Sequence, residues 1–144
     1  VVRMPNFKKF EIGSTKTLQK VVKESDTALS YGSGKLEKLF ATPSLVALML
    51  EACYELADDD LPEGFITVSK SAKVDHIAPT TLGATVTVKV TVLEASKVFV
   101  KFKMEAFDEI GLIGYGEHVR AVVQKDGLLK KAVEREETLE SHNY

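Results

Sequence analysis

The segment Ala41–Leu56 starts like a helix and is apolar almost all the way round. Thr42 suits an N-cap, and Pro43 suits the first helical position, where its missing N–H costs nothing. Beyond Pro43 the polar residues are Ser44, Glu51 and Glu55, spaced so that they share one narrow stripe. A helix with so little polar surface must be covered on nearly every side. In a chain of 144 residues, the size of one domain, the expected cover is a sheet that curls around it. The helix is expected over Pro43 to about Ala57, ended by Asp58-Asp59-Asp60 and Pro62-Glu63-Gly64. Carboxylates at a helix C-terminus oppose the macrodipole, so the acidic run predicts a solvated turn.

After Gly64 the period changes from helical to alternating. Phe65 to Asp75 reads as a strand leading into His76, and Ala84 to Val92 alternates with apolar residues at the even positions. Val98, Val100, Phe102 and Met104 alternate against Lys97, Lys101 and Lys103, and Ile113 to Val123 is a last strand with Val119, Ala121 and Val123 on one face. Glu94-Ala95-Ser96 and Asp108–Gly111 are turns short enough for antiparallel neighbours. Ahead of the helix, Lys16 to Lys23 predicts a first strand, Ser30–Gly34 a loop, and Lys35–Phe40 a short turn of helix. One strand, a central helix and four antiparallel strands make a single α+β domain over 1–144. Residues 1–13 are expected to be peripheral, and 126–144 form a charged tail, either a surface helix or frayed. A threonine-rich outer face (Thr85, Thr87, Thr91) and an open sheet edge point to a dimer.

A net charge of -2 and the absence of Trp argue against a nucleic-acid partner. The single cysteine, Cys53, sits on the apolar helix, where a buried small hydrophobe is expected, and it suits a reducing, cytoplasmic setting. No charged start precedes an apolar run, and the apolar helix is too short to span a bilayer, so neither a signal peptide nor a membrane partner is expected. No metal-ligand spacing is present, and no metal is expected.

Chemistry has four candidate seats. Thr42 lies beside the free N–H groups and positive dipole end of the helix; it is either a structural cap or part of a site that polarises a carbonyl. His76 closes a strand ahead of the turn marked by Pro79 and Gly83, well placed for general-base work or merely hydrogen-bonded. Glu51 either lies on the solvated stripe with Glu55 or orients His76. Gly114 and Gly116 clear one face of a strand that His118 and Arg120 continue, leaving room for a ligand, a second backbone or a bulge.

Taken together, these pieces resemble the hotdog fold, and more narrowly its fluoroacetyl-CoA thioesterase group. The matching residues are Phe40-Ala41-Thr42, Leu48-Met49, Ala52-Cys53, His76 with Ala78-Pro79-Thr80, and Gly114-x-Gly116-x-His118-x-Arg120-Ala121-Val122, within a similarity from about Phe10 to Gln124. The resemblance implies a catalytic threonine and histidine at Thr42 and His76, and a homodimer with sites at the subunit interface; the sequence leaves both a dimer and a tetramer open. It also implies a glutamate eight residues after the threonine, where this chain has Leu50; Glu51 follows, about 100° further round the helix, as the replacement carboxylate if one is needed. A family glycine ahead of the histidine is Ser69 here, so a broader acyl-CoA substrate is expected rather than recognition of fluorine. Pro43, Ser44, Gly83, His118 and Arg120 are expected to contact substrate, Arg120 near phosphates. The expected activity is hydrolysis of a small or medium acyl-CoA at the start of the central helix, with CoA as part of the substrate and no other cofactor. The alternatives are a non-catalytic acyl-CoA-binding module, which Leu50 favours, and an enoyl-thioester hydratase.

Overall fold

Alternating valines dictate the architecture. In the computed structural model, which describes residues 10–59 and 61–142, Val86, Val88, Val90 and Val92 all point to one side of strand β3 (Thr85–Ala95) and are buried. Val100, Phe102 and Met104 do the same on β4 (Phe99–Phe107), and Ile113 does so on β5 (Leu112–Gln124). With β1 (Thr15–Val21) and β2 (Phe65–His76) these make one antiparallel sheet in the order β1-β3-β4-β5-β2. Helix α1 (Thr42–Asp58) lies across the apolar face and buries Leu45, Met49, Ala52, Cys53 and Ala57 against it. Each large side chain so buried contributes roughly 1.5–3 kcal/mol. This is the expected α+β hotdog arrangement. Residues 1–9, Asp60 and residues 143–144, parts of the expected peripheral N-terminus, acidic run and tail, lie outside the described residues.

Several local expectations are corrected. Ala41 is the N-cap residue, with Thr42 and Pro43 already helical, because the Thr42 hydroxyl is engaged outside its own helix turn. Lys35–Phe40 is not helical. Leu39 and Phe40 instead bridge to Thr81 and Thr27, and the helical turns lie earlier, at Glu24–Asp26 and Ala28–Ser30. Asp58 is not part of a solvated turn: its carboxylate accepts from the N–H and hydroxyl of Thr67 on β2. The polar stripe of α1 also differs, since Ser44 is buried while Pro43, Ala47, Glu51 and Tyr54 form the exposed face. Strand β3 runs through the expected turn to Ala95, with a register shift between Val92 and Glu94.

The tail is helix α2 (Lys125–His142), which continues directly from β5 and buries none of its side chains. Among the described residues no helix is long and apolar enough to cross a membrane.

Gly116 lets the backbones of β2 and β5 approach closely. It pairs with Val74 on β2 and Met104 on β4, and a Cβ built there would overlap the Lys73 carbonyl. Backbone cannot move aside as a flexible side chain can. Gly116→Ala is therefore expected to lower stability by about 1–3 kcal/mol in urea unfolding. Gly111→Ala, where nothing lies within 4 Å, should leave the midpoint unchanged. Equal midpoints for both variants would rule out this role for Gly116.

Candidate active site

Two chain ends are steered together. His76 is the last residue of β2 and pairs with Gly114; the next N–H groups, of Ile77 and Ala78, both donate to the Ile113 carbonyl at 2.8 and 3.3 Å. Gly114 has no room for a side chain, since a Cβ would meet Leu45 Cδ2 at 2.9 Å and the Asp75 carbonyl at 3.0 Å. The missing methyl lets the first turn of α1 settle directly on the β2–β5 pair. The approach to that turn is pinned by Phe40 N–H donating to the Thr80 carbonyl at 2.8 Å and Ala41 N–H donating to the Asp26 carbonyl at 2.9 Å. Asp26 is itself held by the Lys23 N–H and an ion pair with Lys20, both at 2.9 Å. Burial pushes its carboxyl up, but these cations and donors outweigh that and hold it below the usual range.

The outcome is a 2.8 Å hydrogen bond between Thr42 Oγ1 and His76 Nδ1 within one chain. Phe40 meets the imidazole edge-on, with centroids 6.4 Å apart. The His76 pKa is lowered by burial, with the Ala78 backbone acting the other way, so the ring is neutral near pH 7 and free to accept a proton. Its Nε2 is buried without a hydrogen-bond partner among the described residues. The ring's contact to a reacting proton therefore runs through Nδ1. Beside it, the Thr42 and Ser44 N–H groups belong to the first turn and lack intrahelical acceptors, and Pro43 has no N–H. They sit at the positive end of the α1 dipole. A depression of about 280 Å³ opens here, lined by Leu39, Phe40, His76, Ile77, Ala78 and Pro79. The geometry offers an alcohol, a base and oxyanion donors beside an apolar hollow.

The remaining expected residues fall elsewhere. Glu51 is exposed and lies nine residues along α1 from Thr42, about 13 Å away, so within one chain it does not orient His76. Its charge acts instead on Arg120. Leu50, at the position of the family glutamate, packs half-buried against the core. Pro43 is exposed beside Thr42, whereas Ser44 is turned inward, its Oγ 2.9 Å from the Tyr31 hydroxyl. Gly83 takes φ +89 in the turn before β3 and donates its N–H to the Val22 carbonyl at 2.9 Å, so it shapes the chain rather than the hollow.

His118 and Arg120 form a separate buried cluster. On β5, Arg120 is six residues from Gly114, about 20 Å along the strand. Arg120 Nε donates to Thr67 Oγ1 at 2.7 Å, Nη1 to Ser69 Oγ at 3.0 Å and His118 Nε2 at 3.2 Å, and Nη2 to the Thr67 carbonyl at 3.0 Å. His118 Nδ1–H donates to the Ser71 carbonyl at 2.8 Å, which fixes a neutral ring with Nε2 as acceptor. Burial pushes the nearby Cys53 thiol up to about 12, which removes it as a nucleophile. Sequence reasoning missed the Tyr31–Ser44 contact; a tyrosine ahead of Gly-Ser-Gly carries no signal for it.

A sequence model of the fluoroacetyl-CoA-specific thioesterase family matches residues 22–126. The chain belongs to that family. The matched span takes in α1, β2 to β5 and the Thr42–His76 pair, and stops at the second residue of α2. Among solved structures, a hot-dog-like protein from Thermanaerovibrio acidaminovorans is 34% identical with a TM-score of 0.81, over 88% of this chain and 93% of that one. The fluoroacetyl-CoA thioesterase FlK is 26% identical with a TM-score of 0.81, over 86% of this chain and 96% of that one. A threonine-to-serine variant of the same thioesterase, in complex with acetyl-CoA, is 25% identical with a TM-score of 0.82, over 87% of this chain and 98% of that one. A search of curated proteins finds no match. Membership of the fluoroacetyl-CoA-specific thioesterase family makes this chain a thioester hydrolase of the hotdog superfamily and displaces the binding-module and hydratase alternatives.

Proposed function

We propose that the protein hydrolyses a small or medium acyl-CoA at the Thr42–His76 pair. The observation that carries this reading is the 2.8 Å contact from Thr42 Oγ1 to His76 Nδ1 at an N-terminal helix turn. The acyl chain lies in the apolar hollow and its carbonyl oxygen accepts from the first-turn N–H groups of α1, where negative charge is best stabilised. Thr42 Oγ1 attacks the carbonyl carbon while its proton passes to His76 Nδ1. The C–S bond breaks, and the departing CoA sulfur takes the proton from His76. Water then attacks the acyl-Thr42 ester, gives its proton to Nδ1, and the acid leaves as Thr42 recovers that proton. CoA enters only as the leaving group, and the cycle needs neither a further cofactor nor a carboxylate, which suits Leu50.

The site is completed in a homodimer. β2 is an edge strand whose middle, Ser69 to Lys73, is exposed next to the exposed face of α1. Antiparallel pairing of two β2 strands about that middle brings the exposed Lys70 and Lys73 to the seam, where an ammonium suits a CoA phosphate, whereas Arg120 stays buried with its donors on Thr67, Ser69 and His118. The free Cys53 supports a reducing cytoplasmic setting.

Thiol release from a panel of acetyl-, fluoroacetyl-, butyryl- and longer acyl-CoA esters tests the assignment. Turnover of at least one of these esters is expected, with its acyl chain against Leu39, Phe40, Ile77, Ala78 and Pro79. No release from any ester would overturn it.

A further inference from the structure

We infer that, given hydrolysis at the Thr42–His76 pair, Tyr31 is a positioning residue that acts through Ser44 on the first turn of α1. This helix cannot cap itself. A Ser, Thr, Asp or Asn at the N-cap would accept from the N–H two or three residues on, but Ala41 has no acceptor, and α1 has no side-chain cap among the described residues. Thr42 spends its hydroxyl on His76, and Pro43 brings no N–H. The Ser44 N–H is left for the substrate. Such a turn stays in place only if something outside the helix holds it.

Ties from elsewhere in the chain do so. Ala41 N–H donates to the Asp26 carbonyl at 2.9 Å, Thr42 Oγ1 meets His76 Nδ1 at 2.8 Å, and Ser44 Oγ lies 2.9 Å from the Tyr31 hydroxyl. The first tie belongs to the backbone and the second to the reaction. The Tyr31–Ser44 tie is a bond between two hydroxyls in which either can donate, and Ser44 is only 8% exposed.

Tyr31 is itself anchored. Its N–H donates to the Ala28 carbonyl at 3.1 Å, and the segment around it is closed by Ala28 N–H on the Leu39 carbonyl at 2.8 Å and Leu29 N–H on the Glu37 carbonyl at 3.0 Å. That segment runs on into Leu39 and Phe40, which line the hollow. The phenol thus braces the first turn of α1 against the chain that forms the acyl wall. A brace of this kind acts on chemistry more than on affinity. The first-turn N–H groups meet a full negative charge only in the transition state, and displacement of Thr42 from Nδ1 slows proton transfer. Its loss should therefore appear in kcat.

Acyl-CoA hydrolysis kinetics and ¹⁵N NMR of the His76 ring test this together. Tyr31→Phe and Ser44→Ala each remove one oxygen and leave every backbone N–H in place. Each is expected to lower kcat by about three- to tenfold, the scale of one neutral hydrogen bond, with KM within about twofold of the wild type. The double variant should lose no more than either single one, because both break the same bond. Ser30→Ala removes a bond to the Glu24 carbonyl from the same segment without touching α1, and should keep the wild-type kcat. At pH 8, where His76 is neutral, the Nδ1 resonance of Tyr31→Phe should move from the wild-type position towards that of Thr42→Val, in which no hydroxyl reaches the ring. Additive losses in the double variant would overturn action through Ser44. Wild-type kcat and Nδ1 resonance in Tyr31→Phe would overturn the inference, even where the urea midpoint falls, and leave Tyr31 as a tie of the fold. If the wild type hydrolyses no ester, the hydrolytic reading falls and Nδ1 decides alone: movement towards Thr42→Val supports positioning of the pair by Tyr31, and a fixed resonance overturns it.

Discussion

Alanine at position 76 is expected to lower kcat/KM for acyl-CoA hydrolysis by about 10²- to 10⁴-fold, the usual contribution of a positioned base. The argument rests on three features of one ring. Its Nδ1 lies 2.8 Å from Thr42 Oγ1, its Nε2 has no hydrogen-bond partner among the described residues, and burial holds its pKa below 6.5. The base is therefore in its working form at neutral pH. The rate of the wild type should climb as pH rises through the lowered His76 pKa and level off by about pH 7, with the unperturbed value near 6.5. The Thr42 variants separate the chemistry from the scaffold. Thr42→Ser keeps the hydroxyl and should keep a measurable share of the activity, whereas Thr42→Val keeps the branched shape and should lose the acyl-enzyme burst. Wild-type rates in His76→Ala would remove the imidazole from the reaction. Turnover that survives in Thr42→Val without a burst would assign the attack to water.

Legibility in the sequence followed the range of the interaction. The β-strands were visible because period-two alternation is local, and Val86 to Val92 states which face is buried. The helix was visible from its apolar run, but its cap was not. Thr42 satisfies the local rule for an N-cap, and a tertiary partner 34 residues away wins its hydroxyl instead. That contact depends on Gly114, whose importance shows only when Leu45 is seen resting where a side chain would be. Asp58 fails for the same reason: the acidic run reads as solvated until Thr67 is brought across from β2. His118 and Arg120 share a strand face with Gly114, which suggested one ligand surface. Strand rise separates them from His76 within a chain, and Arg120 stays buried with its donors on Thr67, Ser69 and His118.

That buried cluster carries the largest expected effect on stability. Arg120→Ala should cost about 3–5 kcal/mol in urea unfolding, because it strands several buried acceptors at once. The Thr67 hydroxyl and carbonyl and His118 Nε2 lose their donor inside the fold, the exposed Ser69 hydroxyl exchanges its donor for water, and Tyr54 loses the cation over its ring. Arg120→Lys should recover less than half, since one ammonium cannot reach acceptors set out for a planar fork. The pH dependence carries a signature. Burial, aided by the Arg120 charge and opposed by the Ser71 carbonyl, lowers the His118 pKa in the folded state. Between that lowered value and about 6.5 the unfolded chain binds more protons than the folded one, so stability is full above about pH 6.5 and falls as pH drops through this window. His76 adds a loss of the same sign. Removing Arg120 raises the folded His118 pKa towards its ordinary value, which narrows the window. The variant, although less stable at pH 8, should lose less stability than the wild type between pH 7 and pH 5. Parallel losses in the two proteins would show that the guanidinium does not act on the His118 ring.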